Sequence, residues 1–142
     1  MAFTTNASNA LLNGMTGRNS YGILSRCYMG LSTTTPTPDG NNFTEPDAST
    51  GYSRVLIGDS SYPITYNMGN PNNGTISNDK MIIFNEATAS WGTVTHFGLF
   101  TSNNLNSVSA SLMIYGPLDN SVTVAAHYVP LFRTNNFTME LT

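Results

Sequence analysis

Beyond its N-terminal segment the sequence never sustains helical periodicity: apolar residues recur at every second place or in short unbroken runs, and Gly, Pro, Asn or Asp cuts each run off. Short runs bounded by turn chemistry are how strands read in sequence, whereas a helix repeats its apolar positions every third or fourth residue. The pattern confines the fold to short strands joined by frequent turns. Composition agrees: of 142 residues, 19 are Thr, which suits a pleated surface, while 18 Asn and 15 Ser suit turns because their side chains bond their own backbone.

Segment 5–15 is the exception, since Phe3, Ala7, Ala10, Leu11 and Met15 fall near the spacing of one helical face, with Thr4 or Thr5 as N-cap and Gly14 and Gly17 as stops. In ILSRCYMGLS (23–32), Cys27, Met29 and Leu31 share one strand face, with Arg26, Tyr28 and Ser32 opposite. That strand stops at TTTPTPDGNN (33–42), where Pro36 and Pro38 cannot donate to a ladder and Asp39-Gly40 signals a turn. Further strands are expected at 52–57, around 64–66 and at 74–77, with turn chemistry from Asn67 to Gly74. KMIIF (80–84) is apolar after its first residue, which predicts a central strand covered on both faces. TVTHFGLF (93–100) should be sandwiched as well, Val94 and Phe100 pointing one way, Phe97 and Leu99 the other. Strands at 109–115, 121–125 and 128–132 follow, with Pro117 and Asp119-Asn120 turning the chain and Pro130 requiring an edge or bulge. The last strand should turn Phe137, Met139 and Leu141 inward and Thr138, Glu140 and Thr142 outward.

Eight or nine such strands predict an all-β, two-sheet antiparallel sandwich, jelly-roll or Greek-key like, with one short N-terminal helix. Residues 1–20 would form the helix and lead-in, packed on the same domain, and residues 21–142 a single β-sandwich domain. No internal repeat is found.

Charged residues are only 9% of the chain, so its solubility rests on uncharged polar side chains. The net charge is −3, and Arg18, Arg26, Arg54, Lys80 and Arg133 stand singly, which leaves no basic stripe for phosphates and argues against nucleic-acid binding. No run of about eighteen apolar residues occurs, and MAFTTNASNALL lacks the positive and apolar regions of a signal peptide, so neither membrane insertion nor export is expected. Asn6, Asn42, Asn73 and Asn136 head glycosylation sequons, which chance supplies in a chain this rich in Asn and Thr. Cys27 is alone, so no intrachain disulfide forms, and it is read as a small buried hydrophobe.

Catalysis needs groups that titrate or attack, and few are present. His96 and His127 have no Cys, Asp or Glu within two residues, so zinc spacing is absent and both are read as core or interface residues. No G-x-S-x-G elbow occurs. All the carboxylates except Glu140 fall in expected loops or strand ends, where solvation explains them better than glycosidase chemistry. Asp39, Glu45 and Asp47 are a calcium candidate in number, yet their spacing matches no EF-hand loop. No enzyme, metal or cofactor is expected. Tyr21, Tyr62 and Tyr66 flank loops and are candidates for surface contact, since aromatic faces stack on sugars or fill partner pockets. Trp91, standing before a two-sided strand, is read as core.

The segment ATASWGTVTHFGLF (87–100) resembles a stretch that recurs in short bacteriophage virion proteins described as tail fibre. The likeness extends through ALLNGMTG (10–17), YMGLSTTTPTPDG (28–40), TEPDASTGYSRV (44–55), the Asn-Asp-Lys-Met-Ile-Ile-Phe strand (78–84), SLMIYGPL (111–118) and a closing VPLF…FTMEL, nearly the whole chain. It implies a virion structural protein of the tail, fibre or collar apparatus, assembled in the host bacterial cytoplasm. Its partners would be other phage structural proteins and a host surface glycan or receptor. A particle protein needs symmetric self-association, so a homo-oligomer is expected, a trimer first. The apolar excess of the N-terminal segment, Phe3, Leu11, Leu12 and Met15, is the candidate assembly interface. A capsid decoration or head-fibre protein is the alternative, and a carbohydrate-binding module a third reading.

Overall fold

The computed structural model describes residues 1–19, 25–61 and 65–141. Strand β1 (Ala2–Phe3) leads into helix α1 (Thr5–Met15), then β2 (Arg26–Ser32), β3 (Val55–Asp59), β4 (Thr65–Tyr66), β5 (Thr75–Ser77), β6 (Ile82–Ile83) and β7 (Gly92–Phe100). A single helical turn, α2 (Val108–Ser111), precedes β8 (Leu112–Val124), β9 (Leu131–Phe132) and β10 (Thr138–Glu140). Six strands form one antiparallel sheet in the order β1-β8-β7-β2-β3-β4, and the ribbons β10-β5 and β6-β9 stand apart from it. The fold is the expected all-β sandwich with a short N-terminal helix, its second layer made of two ribbons.

One core lies between the layers. Met29, Leu31, Ile57, Val94, Phe97 and Leu99 of the large sheet meet Ile82, Phe84 and Phe137 of the ribbon side, with Tyr52 and Trp91 closing one end. Trp91 is buried as expected, its Nε1 donating to Thr50 O at 2.9 Å and its ring set edge-on to Tyr52 at 5.3 Å. A smaller cluster of Phe43, Phe100 and Leu112 occupies the opposite face of the sheet. Strand β7 is covered on both sides, as its pattern predicts.

Four local expectations are corrected. Val94 joins Phe97 and Leu99 in the main core, and Phe100 alone points away from it, because the β7-β8 register shifts between Val94 and His96 and reverses the alternation there. That shift also explains Asp119-Asn120. Val94 pairs with Val122 and His96 with Pro117, so residues 118–121 stand against Thr95 alone; they bulge out of β8 where a chain reversal was expected. The 80–84 run is no central strand, for β6 pairs only with β9, burying Ile82 and leaving Met81 and Ile83 exposed. An unbroken apolar run cannot be assigned one or two covered faces from periodicity alone. Residues 108–111 are helical where a strand was expected to begin.

Other expectations hold in part. The expected strand at 52–57 begins at Val55. At the C-terminal end Phe137 is buried and Met139 half-buried, but Leu141 is exposed. Helix α1 has its expected bounds, capped by Thr4, whose Oγ1 accepts from Ala7 N at 3.3 Å, and Gly17 takes a φ of 72° just beyond its end.

Candidate assembly surfaces

Helix α1 is fastened at its start and little covered elsewhere. Thr4 is buried, donates from N to Met113 O at 2.8 Å and from Oγ1 to Leu112 O at 2.9 Å, and Thr5 N donates to Pro38 O at 2.8 Å. These bonds pin the N-cap to β8 and to the 33–42 loop. No residue of α1 itself is buried. Of the expected interface residues, Phe3 and Leu11 are half-buried, whereas Leu12 and Met15 are 59% and 73% exposed. Phe3 lines a small apolar pocket of about 180 Å³ with Met1, Ile114, Met139 and Leu141.

Two further apolar surfaces went unseen in the sequence. On the β6-β9 ribbon Ile83 and Leu131 are direct cross-strand partners, 47% and 42% exposed, and Met81 and Val129 are exposed as well. The signal was present in KMIIF, whose first and third apolar residues point one way if the strand is read as half-covered. Beside it runs an open groove of about 790 Å³, lined by Val122, Leu131, Phe132 and Phe137 and edged by Asp119, Asn120, Asn135 and Asn136. The bulge in β8 supplies one wall of it. Tyr66, on the outermost strand of the large sheet, is exposed. Tyr21 and Tyr62 lie outside the described residues.

Several of the charged and titratable groups are engaged structurally. Glu45 was expected in a solvated loop but is buried. Its Oε1 accepts from Tyr52 Oη at 2.6 Å and Arg54 Nε at 2.9 Å, and its Oε2 from Arg54 Nη2 at 2.8 Å. Asp39 is occupied by Thr37 and Asn41, and Asp47 accepts from Ser49 N at 2.8 Å. The three carboxylates therefore do not converge, and among the described residues no group of three ligating side chains does. His96 sits on β7 with Nδ1 2.8 Å from Thr95 Oγ1, and partial burial lowers its pKa below the ordinary value of 6.5. His127 is neither core nor strand. It occupies an exposed turn at φ 71°, with Nδ1 3.2 Å from Glu86 Oε1. Cys27 is half-covered by the main core, and burial pushes its thiol up to about 12. Among the described residues no helix is long and apolar enough to cross a membrane.

Among the described residues the arrangement offers apolar surfaces and no cluster of metal-ligating side chains. A family model described as podophage GP4 fiber I protein gp80 matches residues 2–140, and the chain belongs to that family. No curated protein matches it.

Proposed function

We propose that this member of a podophage fibre family is a non-enzymatic structural subunit of the virion's tail and fibre apparatus, working by protein–protein contact with copies of itself and with other phage structural proteins. The observation that carries the reading is helix α1. Its sequence, TNASNALLNGM, is built largely from Asn, Thr, Ser and Gly, all weak helix formers in an interior, and so short a helix is marginal without packing. Yet α1 buries none of its residues, and no charged side chain precedes Arg18 to solvate its outer face. An uncharged helix that presents Leu12 and Met15 outward suits a neighbour's surface better than water. Self-association of this face, as a trimer first, supplies the missing cover without setting like charges against each other. Phe3 and Leu11, both half-buried, complete the proposed interface. Tyr66, exposed at the sheet edge, is the described member of the expected contact tyrosines and offers its ring to a host glycan or receptor.

Analytical ultracentrifugation of the purified chain beside Leu12→Ser/Met15→Ser tests the interface: the parent sediments as a homo-oligomer and the variant as a monomer with the same circular dichroism. A parent that is monomeric at every concentration, or a variant that assembles equally well, refutes it. Immunogold labelling of intact particles tests the location, and gold over the capsid would replace the tail reading by a decoration role.

A further inference from the structure

We propose that Asn73 is a site of spontaneous backbone modification, converting to aspartate and isoaspartate in the folded protein through attack by the Gly74 amide nitrogen. Asn73-Gly74 forms the two central residues of a tight hairpin turn before β5. Asn72 N donates to Thr75 O at 2.8 Å, Thr75 N donates to Asn72 O at 3.0 Å, and the central φ values are 52° and 76°, the signature of a type I′ turn. Both turn hydrogen bonds therefore belong to the flanking residues. Among the described residues nothing accepts from Gly74 N–H, and no hydrogen bond holds the Asn73 amide, which is exposed. Gly74 carries no side chain to hinder approach of its nitrogen to the neighbouring carboxamide.

The chemistry is balanced by water alone. The Gly74 nitrogen, on losing its proton, bonds to Asn73 Cγ; the Cγ–Nδ2 bond breaks and Nδ2 leaves as ammonia, carrying that proton away. Water then opens the five-membered imide at one of its two carbonyls, giving aspartate or isoaspartate with no change of oxidation state.

Other asparagines show by contrast why this one is singled out. Asn13 also precedes a glycine, but Gly14 lies inside α1, where its N–H belongs to the helical ladder. Asn78 is buried, with Nδ2 donating to Lys80 O and Arg133 O and Oδ1 accepting from Phe137 N at 2.9 Å. Conversion at Asn73 also has a structural consequence. Gly74 O accepts from Leu141 N at 2.8 Å, and a Cβ placed on Gly74 would stand 2.6 Å from Leu141 O, so the turn lies directly against the strand end after β10. Isoaspartate routes the chain through an extra methylene at residue 73 and pulls the Gly74 carbonyl from that contact. Gly74 and Leu141 line the apolar pocket that also holds Met1 and Phe3, so the change reaches the N-terminal face.

The test is prolonged incubation of the folded full-length chain at neutral and mildly alkaline pH, followed by peptide mapping with an isoaspartate-specific methyltransferase readout. Conversion at Asn73 should exceed that at Asn13 by an order of magnitude, rise with pH, and be absent in Asn73→Gly, which keeps a turn that tolerates positive φ. Amide exchange at Leu141 should be faster in the converted fraction. Conversion at Asn73 no faster than at Asn13, or appearing only after denaturation, overturns the assignment, and unchanged Leu141 exchange overturns the coupling to the strand end.

Discussion

Arg54 grips Glu45 through two parallel hydrogen bonds, Nε to Oε1 at 2.9 Å and Nη2 to Oε2 at 2.8 Å, and both side chains are almost fully buried. In a chain so short of charge, more than a third of whose residues are Asn, Thr or Ser, that burial demands complete satisfaction of both ions. It is met: Nη1 reaches Ser102 O at 2.7 Å, the guanidinium lies 3.5 Å over the Phe100 ring, and Tyr52 Oη supplies a further donor to Glu45. The pair ties the loop before Ala48 and the segment before β3 to the face of the sheet that carries Phe43 and Phe100.

Breaking one partner leaves the other buried and uncompensated, which costs about 3–5 kcal/mol. Glu45→Leu and Arg54→Met should each lower the urea midpoint steeply, while Glu45→Leu/Arg54→Met should recover much of the loss. A double-mutant cycle measures this, and additive losses would show that the two groups act independently.

The pair also marks where the sequence stops being readable. Strands with a covered and an open face were visible, because Cys27, Met29 and Leu31 alternate against Arg26 and Tyr28, and α1 was visible through its cap and its glycines. Glu45 and Arg54 were not, since nine positions and an irregular loop separate them and a carboxylate beside Pro46 reads as solvated. The bulge at 118–121 was hidden for a similar reason: Pro117 and Asp119-Asn120 carry turn chemistry, and only pairing with β7 decides between a reversal and a bulge. Among the candidate interface residues, apolar excess grouped Leu12 and Met15 with Phe3 and Leu11, but exposure depends on where β8 lies beneath the helix.

Gly98 sets the thickness of the smaller core. A Cβ there would meet Phe43 Cε2 at 2.6 Å and Leu112 Cδ1 at 2.8 Å, while Phe43 itself is held edge-on to Phe100 at 5.1 Å. Gly98→Ala should therefore destabilise by about 1–3 kcal/mol through overpacking, seen as a lower urea midpoint at unchanged slope. A neutral Gly98→Ala would mean that the Phe43 loop yields freely.

Acid should weaken the fold in a defined direction. Asp39 is held below its ordinary value of 3.8 by the Thr37 hydroxyl and then by Asn41, and Asp59 by the Ser61 hydroxyl and then by Arg26. Both groups bind protons more readily when unfolded, so their contribution is intact above 3.8 and is lost as pH falls from there through the lowered folded values. Urea midpoints should fall as pH drops below about 4, and Asp39→Asn/Asp59→Asn should flatten the profile. An unchanged profile in that variant would place the acid sensitivity elsewhere.

Alkali acts through Cys27 with the opposite sign. Burial alone raises its thiol from the ordinary 9.0 to about 12, so the folded chain resists forming the thiolate that the unfolded chain forms readily. The stability this contributes is complete below 9.0 and declines as pH rises from there toward about 12. Because the thiolate is the reactive form, the folded protein should react with a disulfide reagent far more slowly than the chain in guanidinium at the same pH. Cys27→Ala should reduce the alkaline stability loss, leaving the share of the Tyr52 phenol, which burial also raises, and leaving the acid limb untouched. Fast labelling of native protein would mean that β2 opens around its register shift between Cys27 and Tyr28 more often than its pairing with both β3 and β7 implies.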